Sequence, residues 1–235
     1  MKTTLLIWIF LANNFCNKSL NDDMPVENDT IQKKFYYLGL GDSYTIGQSV
    51  AAAENFPNQV VALLKKDSID IQPARIIAKT GWTTDELEAG IVVANSVDSL
   101  RSSYDFVSLL IGVNNQYRGR TVENYKSEFE ALLKKAIHFA GDRADHVVVI
   151  SIPDWGVTPF ADGRDRAQIA KEVDKYNAAN KQITLQYHVE YIDITSWTRH
   201  AATDSSLLAS DGLHPSGKEY KRWAEKIASF FKSKI

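Results

Sequence analysis

From residue 35 onward, short apolar runs alternate with stretches whose apolar residues recur at helical spacing. Residues 35–40 (FYYLGL) predict a first strand, and residues 56–66 (FPNQVVALLKK) place Val60, Val61, Leu63 and Leu64 on one face of a helix. Residues 74–78 (ARIIA) predict a second strand that ends at Thr80-Gly81. Thr83-Thr84-Asp85-Glu86 then supplies N-cap candidates for a helix through Ala94. Residues 106–111 (FVSLLI) are almost continuously apolar, as a strand buried on both faces must be. Thr121 opens a helix carrying Tyr125, Phe129, Leu132, Leu133 and Ile137 at helical spacing. Residues 147–152 (VVVISI) predict a fourth strand stopped by Pro153. Residues 167–187 read as helix, residues 189–194 (VEYIDI) as a fifth strand, and residues 216–231 as a last helix. That helix places Tyr220, Trp223, Ile227 and Phe230 on one face.

Five strands separated by helices imply an α/β fold, a three-layer α/β/α sandwich around a five-stranded, mainly parallel sheet. Ligand sites in such folds collect at the carboxyl ends of the strands. No internal repeat or change of composition interrupts residues 34–235, so they are expected to form one domain.

The chain before residue 34 follows a different pattern. Met1-Lys2 precedes an apolar run over residues 5–12 (LLIWIFLA), far short of the roughly 20 residues that span a bilayer. This length suits the apolar region of an export signal, expected over residues 1–15, followed by a polar linker over residues 16–33. Because Cys16 follows the run closely, a lipid tether on that cysteine is the alternative to plain export. Phe15 stands where lipoprotein signals place a small residue, which favours plain export to the periplasm or medium. A buried N-terminal strand is the other reading of this run.

Composition narrows the function. A formal net charge of −2 with no basic stripe speaks against nucleic acid as a partner. Cys16 is the single cysteine, so no intrachain disulfide forms. His138, His146, His188 and His200 lack ligand-like spacing, and neither a metal nor any other cofactor is expected. No phosphate-binding loop, dinucleotide fingerprint or Gly-x-Ser-x-Gly elbow occurs.

Chemistry is suggested at four strand or loop ends: Gly41-Asp42-Ser43, Gly81, Gly112-Val113-Asn114-Asn115, and Asp211-Gly212-Leu213-His214. A parallel sheet would bring all four to one edge. Ser43, His214 and Asp211 offer a nucleophile, a base to activate it and a carboxylate to orient the base. Each block has a plainer reading. Ser43 could cap the following helix, Gly81 and Asn114 could be turn residues, Asp211 could be a solvated loop acid and His214 a helix-start residue. Asp42 reads as a turn aspartate that binds local backbone amides.

In order and spacing, these blocks resemble the SGNH hydrolases, the GDSL family of esterases and lipases, over residues 34–235. The resemblance implies their flavodoxin-like fold. It also implies that Ser43 is the nucleophile, His214 the general base and Asp211 its partner. Gly81 and Asn114, with the Ser43 amide, would form the oxyanion hole. The family's third block usually reads Gly-x-Asn-Asp, whereas position 115 here is Asn. Tyr44 stands where many members carry a smaller aliphatic residue.

The acyl pocket is expected along segments leaving the strand ends, with Tyr44, Tyr117, Trp155 and Phe160 as substrate-binding residues. Arg118 and Arg120 could meet an anionic group or could simply be solvated. The expected activity is hydrolysis of a small-molecule, lipid or glycan ester through an acyl-Ser43 intermediate, by a chain acting as a monomer. The alternatives are a carbohydrate acetylesterase, an acyltransferase, and a binding protein that keeps the fold without turnover.

Overall fold

Each strand is short and apolar and leads into a helix, as parallel pairing with crossover connections requires. The computed structural model describes residues 33–235. In chain order these form β1 (Tyr37–Gly41), α1 (Ser43–Ile46), α2 (Phe56–Lys66), β2 (Arg75–Ala78), α3 (Thr84–Val97), β3 (Phe106–Leu110) and α4 (Val113–Tyr117). There follow α5 (Val122–Phe139), β4 (Val147–Ile150), α6 (Arg166–Gln186), β5 (Glu190–Ile192), α7 (Thr195–Thr198) and α8 (Gly217–Lys232). The proposed export signal, Cys16 and all of the linker except Lys33 lie outside the described residues.

The strands are ordered β2-β1-β3-β4-β5 and every neighbouring pair is parallel. The chain runs outward from β1 to β2 and then crosses back to β3. The switch point, where a doubly wound sheet opens a crevice for ligands, therefore lies between β1 and β3. Helix α2 packs against α8, while α5 packs against α3 and α6, giving the two helical layers. All five residues of both β1 and β3 are buried. Each fully buried Val, Leu, Ile or Phe in this central layer contributes about 1.5–3 kcal/mol.

Local signals set the helix boundaries. Asn55 accepts the Asn58 amide at 2.9 Å to start α2, with Pro57 in its first turn. Thr121 and Ser216 cap α5 and α8 in the same way. The buried face of α8 includes Tyr220, Trp223, Ala224, Ile227, Ala228 and Phe231. Phe231, rather than the expected Phe230, completes that face, and it stacks on Phe106 at 4.3 Å.

Three strand boundaries differ from the pattern. Phe35 lies before β1 and makes an isolated parallel bridge to Ile71. Strand β4 stops two residues early because the Asn177 side chain of α6 takes over the backbone of Ile152. Its Oδ1 accepts the Ile152 amide at 2.8 Å, and its Nδ2 donates to the Ile152 carbonyl at 3.0 Å. Strand β5 ends at Ile192, since Ile194 already caps α7.

Candidate active site

Backbone crowding explains the residues around Ser43. A Cβ on Gly41 would lie 2.4 Å from the Leu110 carbonyl oxygen and 2.1 Å from Thr45 Oγ1, so only glycine fits where β1 leaves the sheet. Asp42 then caps the one-turn α1, its Oδ1 accepting the Tyr44 amide at 3.0 Å. Ser43 is the first residue of that turn and is almost wholly buried. Asp42 thus has the turn role expected of it, and Ser43 is not the cap.

Asp211 folds its own loop around itself. Its Oδ1 accepts the Leu213 and His214 amides, each at 3.0 Å. Its Oδ2 accepts from Ser49 Oγ at 2.7 Å and lies 2.7 Å from His214 Nδ1. Burial pushes the Asp211 carboxyl up, but the bonds from the His214 ring, Ser49 and the two amides outweigh burial and hold it at about 2. An ionised carboxylate can only accept, so the neutral imidazole carries its proton on Nδ1. His214 Nε2 is then an acceptor, and it lies 2.9 Å from Ser43 Oγ. The Tyr44 ring packs on the imidazole with centroids 4.8 Å apart.

Gly81 follows β2 with φ of +83°, a conformation that favours glycine. Its carbonyl accepts from Arg118 Nη2 at 2.6 Å. The N–H groups of Gly81 and Ser43 meet no acceptor among the described residues. Asn114, in α4, donates from Nδ2 to the Trp82 carbonyl at 3.0 Å and reaches Asp42 Oδ2 only at 3.4 Å. Asn115, which replaces the family aspartate, faces away from this chemistry. Its Oδ1 accepts the Thr84 amide at 3.1 Å and its Nδ2 donates to Thr84 Oγ1 at 2.6 Å, tying α4 to the start of α3. Thr84 Oγ1 in turn donates to Glu128, a relay that an aspartate at 115 could not begin by donating.

Ser43, Asn114 and His214 line a cavity of about 120 Å³ together with Tyr44, Val113, Tyr117, Trp155, Phe160 and Leu213. Gly81 is not part of its lining. A larger groove of about 680 Å³ runs between β2 and α3 but holds none of these groups, so chemistry rather than size identifies the site. Trp155 is anchored by Nε1 donating to Gln116 Oε1 at 2.7 Å. Tyr117 and Phe160 stand beside it with ring centroids 5.3 and 6.0 Å away, each about half exposed. Val113 and Leu213 lie inside the two blocks already singled out, so their place could have been read from the sequence. Ser49 and Arg164 gave no such signal. Arg118 pairs with Glu86, and Arg120 with Asp85 and Glu128, so both arginines are engaged within the protein.

Burial is the main influence on the Asp42 carboxyl and pushes it up to about 7, although bonds from the Tyr44 amide and Asn114 pull it down. An unfolded aspartate releases its proton near 3.8. The stability contributed by this raised value is therefore full below pH 3.8 and is lost as pH rises through about 7. Asp42→Asn keeps an acceptor for Tyr44 and cannot ionise. Its stability relative to wild type is expected to rise between pH 4 and pH 8 in urea denaturation. A difference independent of pH would show that this carboxyl does not titrate there.

Solved structures share this architecture at low identity. TesA superposes with a TM-score of 0.64 at 14% identity, covering 86% of this chain and 100% of its own. A lipase/acylhydrolase from Enterococcus faecalis gives 0.64 at 18%, covering 86% and 96%. Axe2, an acetylxylan esterase from Geobacillus stearothermophilus, gives 0.63 at 18%, covering 84% and 94%. These likenesses show the fold. No curated protein sequence matches the chain. Residues 40–222, however, match the model of the GDSL-like Lipase/Acylhydrolase family, and the chain belongs to that family.

Proposed function

We propose that the protein hydrolyses short-chain acyl esters through an acyl-Ser43 intermediate. The continuous line of contacts carries this reading: Ser43 Oγ to His214 Nε2 at 2.9 Å, and His214 Nδ1 to Asp211 Oδ2 at 2.7 Å. Ser43 Oγ attacks the ester carbonyl carbon while its proton passes to His214 Nε2. The carbonyl π electrons move to oxygen, where the amides of Ser43 and Gly81 and the Asn114 Nδ2 group meet the charge. Collapse breaks the C–O bond, and the departing alkoxide takes the proton from His214. Water, deprotonated by His214, then attacks the acyl carbon; the bond to Ser43 Oγ breaks, the acid leaves, and the proton on His214 returns to Oγ. Asp211 stays ionised throughout, holding the tautomer and stabilising the imidazolium.

Cavity size supports a short acyl group. The cavity is small, about 120 Å³, with room for an acyl group of a few carbons. Tyr44, Trp155 and Leu213 close its inner end. Behind them lies a second void of only about 10 Å³, which those three residues also line, with Ala201, Leu207 and Leu208 on its far side. An acetylated carbohydrate is the more specific reading that the aromatic rim favours, since Tyr117 and Phe160 are half-exposed at the mouth of the cavity.

A series of p-nitrophenyl esters from acetate to palmitate tests the hydrolase and short-acyl readings. Turnover is expected to peak between acetate and butyrate and to fall by octanoate. In Tyr44→Leu the partition between the two spaces is thinner, and the optimum is expected to lengthen by about two carbons. A long-chain optimum in wild type overturns the short-acyl reading. No turnover at any length overturns the hydrolase reading itself.

A further inference from the structure

The aromatic rim carries a cation that ester hydrolysis leaves unused. Arg164 follows the short turn Pro159–Ala161 and precedes α6. Its guanidinium carbon lies 5.1 Å from the centre of the Tyr117 ring, 5.4 Å from that of Trp155 and 6.0 Å from that of Phe160. Nη2 donates to Tyr117 Oη at 3.2 Å. No carboxylate lies within ion-pairing distance of Arg164 among the described residues. Neighbouring Asp162 is taken by Arg166, and Asp165 caps α6 by accepting the Gln168 amide. Arg118 and Arg120, the cations that the sequence offers to an anion, are both neutralised by acids.

Three rings and one hydroxyl hold the guanidinium while using one of its five N–H donors. A side chain already ordered on aromatic faces loses less entropy when it captures a ligand. We propose that Arg164 forms an anion subsite at the mouth of the acyl cavity, and that the substrate is an ester bearing a carboxylate or phosphate on its leaving-group side. The apolar-lined space beside Ser43 takes the acyl group. Whatever protrudes from it passes the half-exposed Tyr117 and Phe160, where Arg164 stands. A cationic leaving group is disfavoured, because the guanidinium already occupies the ring faces that would attract it.

This inference rests on the hydrolase reading, and the test separates the two. Two matched pairs are compared: 4-acetoxybenzoate with its methyl ester, and acetylglycerol phosphate with monoacetin. For each pair the readout is kcat/KM for the anionic ester divided by kcat/KM for the neutral one. In Arg164→Gln that ratio is expected to fall about fivefold, through KM, in at least one pair. The pair that responds identifies the anion. Lys171→Gln, the same loss of charge on an exposed part of α6, is expected to hold the ratio at the wild-type value. Added salt is expected to shrink the wild-type ratio and leave that of Arg164→Gln nearly flat. Neutral esters turned over by wild type with no change of either ratio in Arg164→Gln overturns the subsite alone. No turnover of any of the four esters overturns hydrolysis and the subsite together.

Discussion

Replacing Ser43 with alanine is expected to lower kcat for p-nitrophenyl acetate by about 10⁴–10⁶-fold, and His214→Ala by a similar amount. The two losses should not multiply. Without Oγ there is no nucleophile for His214 to deprotonate, and without Nε2 the hydroxyl 2.9 Å away is an ordinary alcohol. The double variant is therefore expected to retain about the activity of either single one. What remains comes from polarisation of the carbonyl by groups that neither substitution removes. Multiplicative losses would mean that Ser43 and His214 act in separate steps. A Ser43→Ala protein within tenfold of wild type would remove Ser43 from the mechanism. Thermal unfolding of both variants serves as the control, since both side chains are buried and each loses a hydrogen-bond partner.

Much of this arrangement could be read from residue order. Residues 106–110 are apolar at nearly every position because β3 is covered on both faces, and a strand with one wet face would alternate instead. Asn55 and Pro57 punctuate α2 so clearly that its expected and observed limits coincide. Ser43, Asn114 and the Asp211/His214 pair follow strands or precede a helix, and parallel strands bring those ends to the same side. Less legible were features made by contacts between distant segments. Helices α1, α4 and α7 are only four or five residues long, too short for a helical period to register. The early end of β4 depends on Asn177, a residue of the next helix whose polarity looks unremarkable in sequence. Ser49 reaches Asp211 across 162 positions. Arg118 and Arg120 look like free cations in sequence because their acidic partners lie in α3 and α5, whereas nothing in the sequence marks Arg164 as lacking an acid partner among the described residues. Charge in a sequence shows what a residue could attract, and the fold decides whether that attraction is already satisfied.

Asn114→Ala is expected to lower kcat by about 10²–10³-fold, or about 2.7–4 kcal/mol of barrier, with KM changed much less. The contrast in its two Nδ2 contacts explains why this side chain can serve the transition state. The bond to the Trp82 carbonyl is 3.0 Å and fixes the amide plane. The contact with Asp42 Oδ2 is 3.4 Å, too long to hold its hydrogen firmly. That second hydrogen is only weakly engaged and so is available to an oxygen that gains negative charge, and it gains little from the neutral ground-state carbonyl. The stabilisation therefore falls on kcat rather than on substrate binding. Asn114→Asp sharpens the argument, because it keeps the volume, removes both donors and sets a second carboxyl beside the buried Asp42. It is expected to be at least as slow as Asn114→Ala. Steady-state kinetics on p-nitrophenyl acetate separates the cases. A rise in KM with kcat unchanged in Asn114→Ala would show that Asn114 holds the substrate and does not act on the oxyanion. Wild-type activity in Asn114→Asp would leave the amides of Ser43 and Gly81 as the only donors.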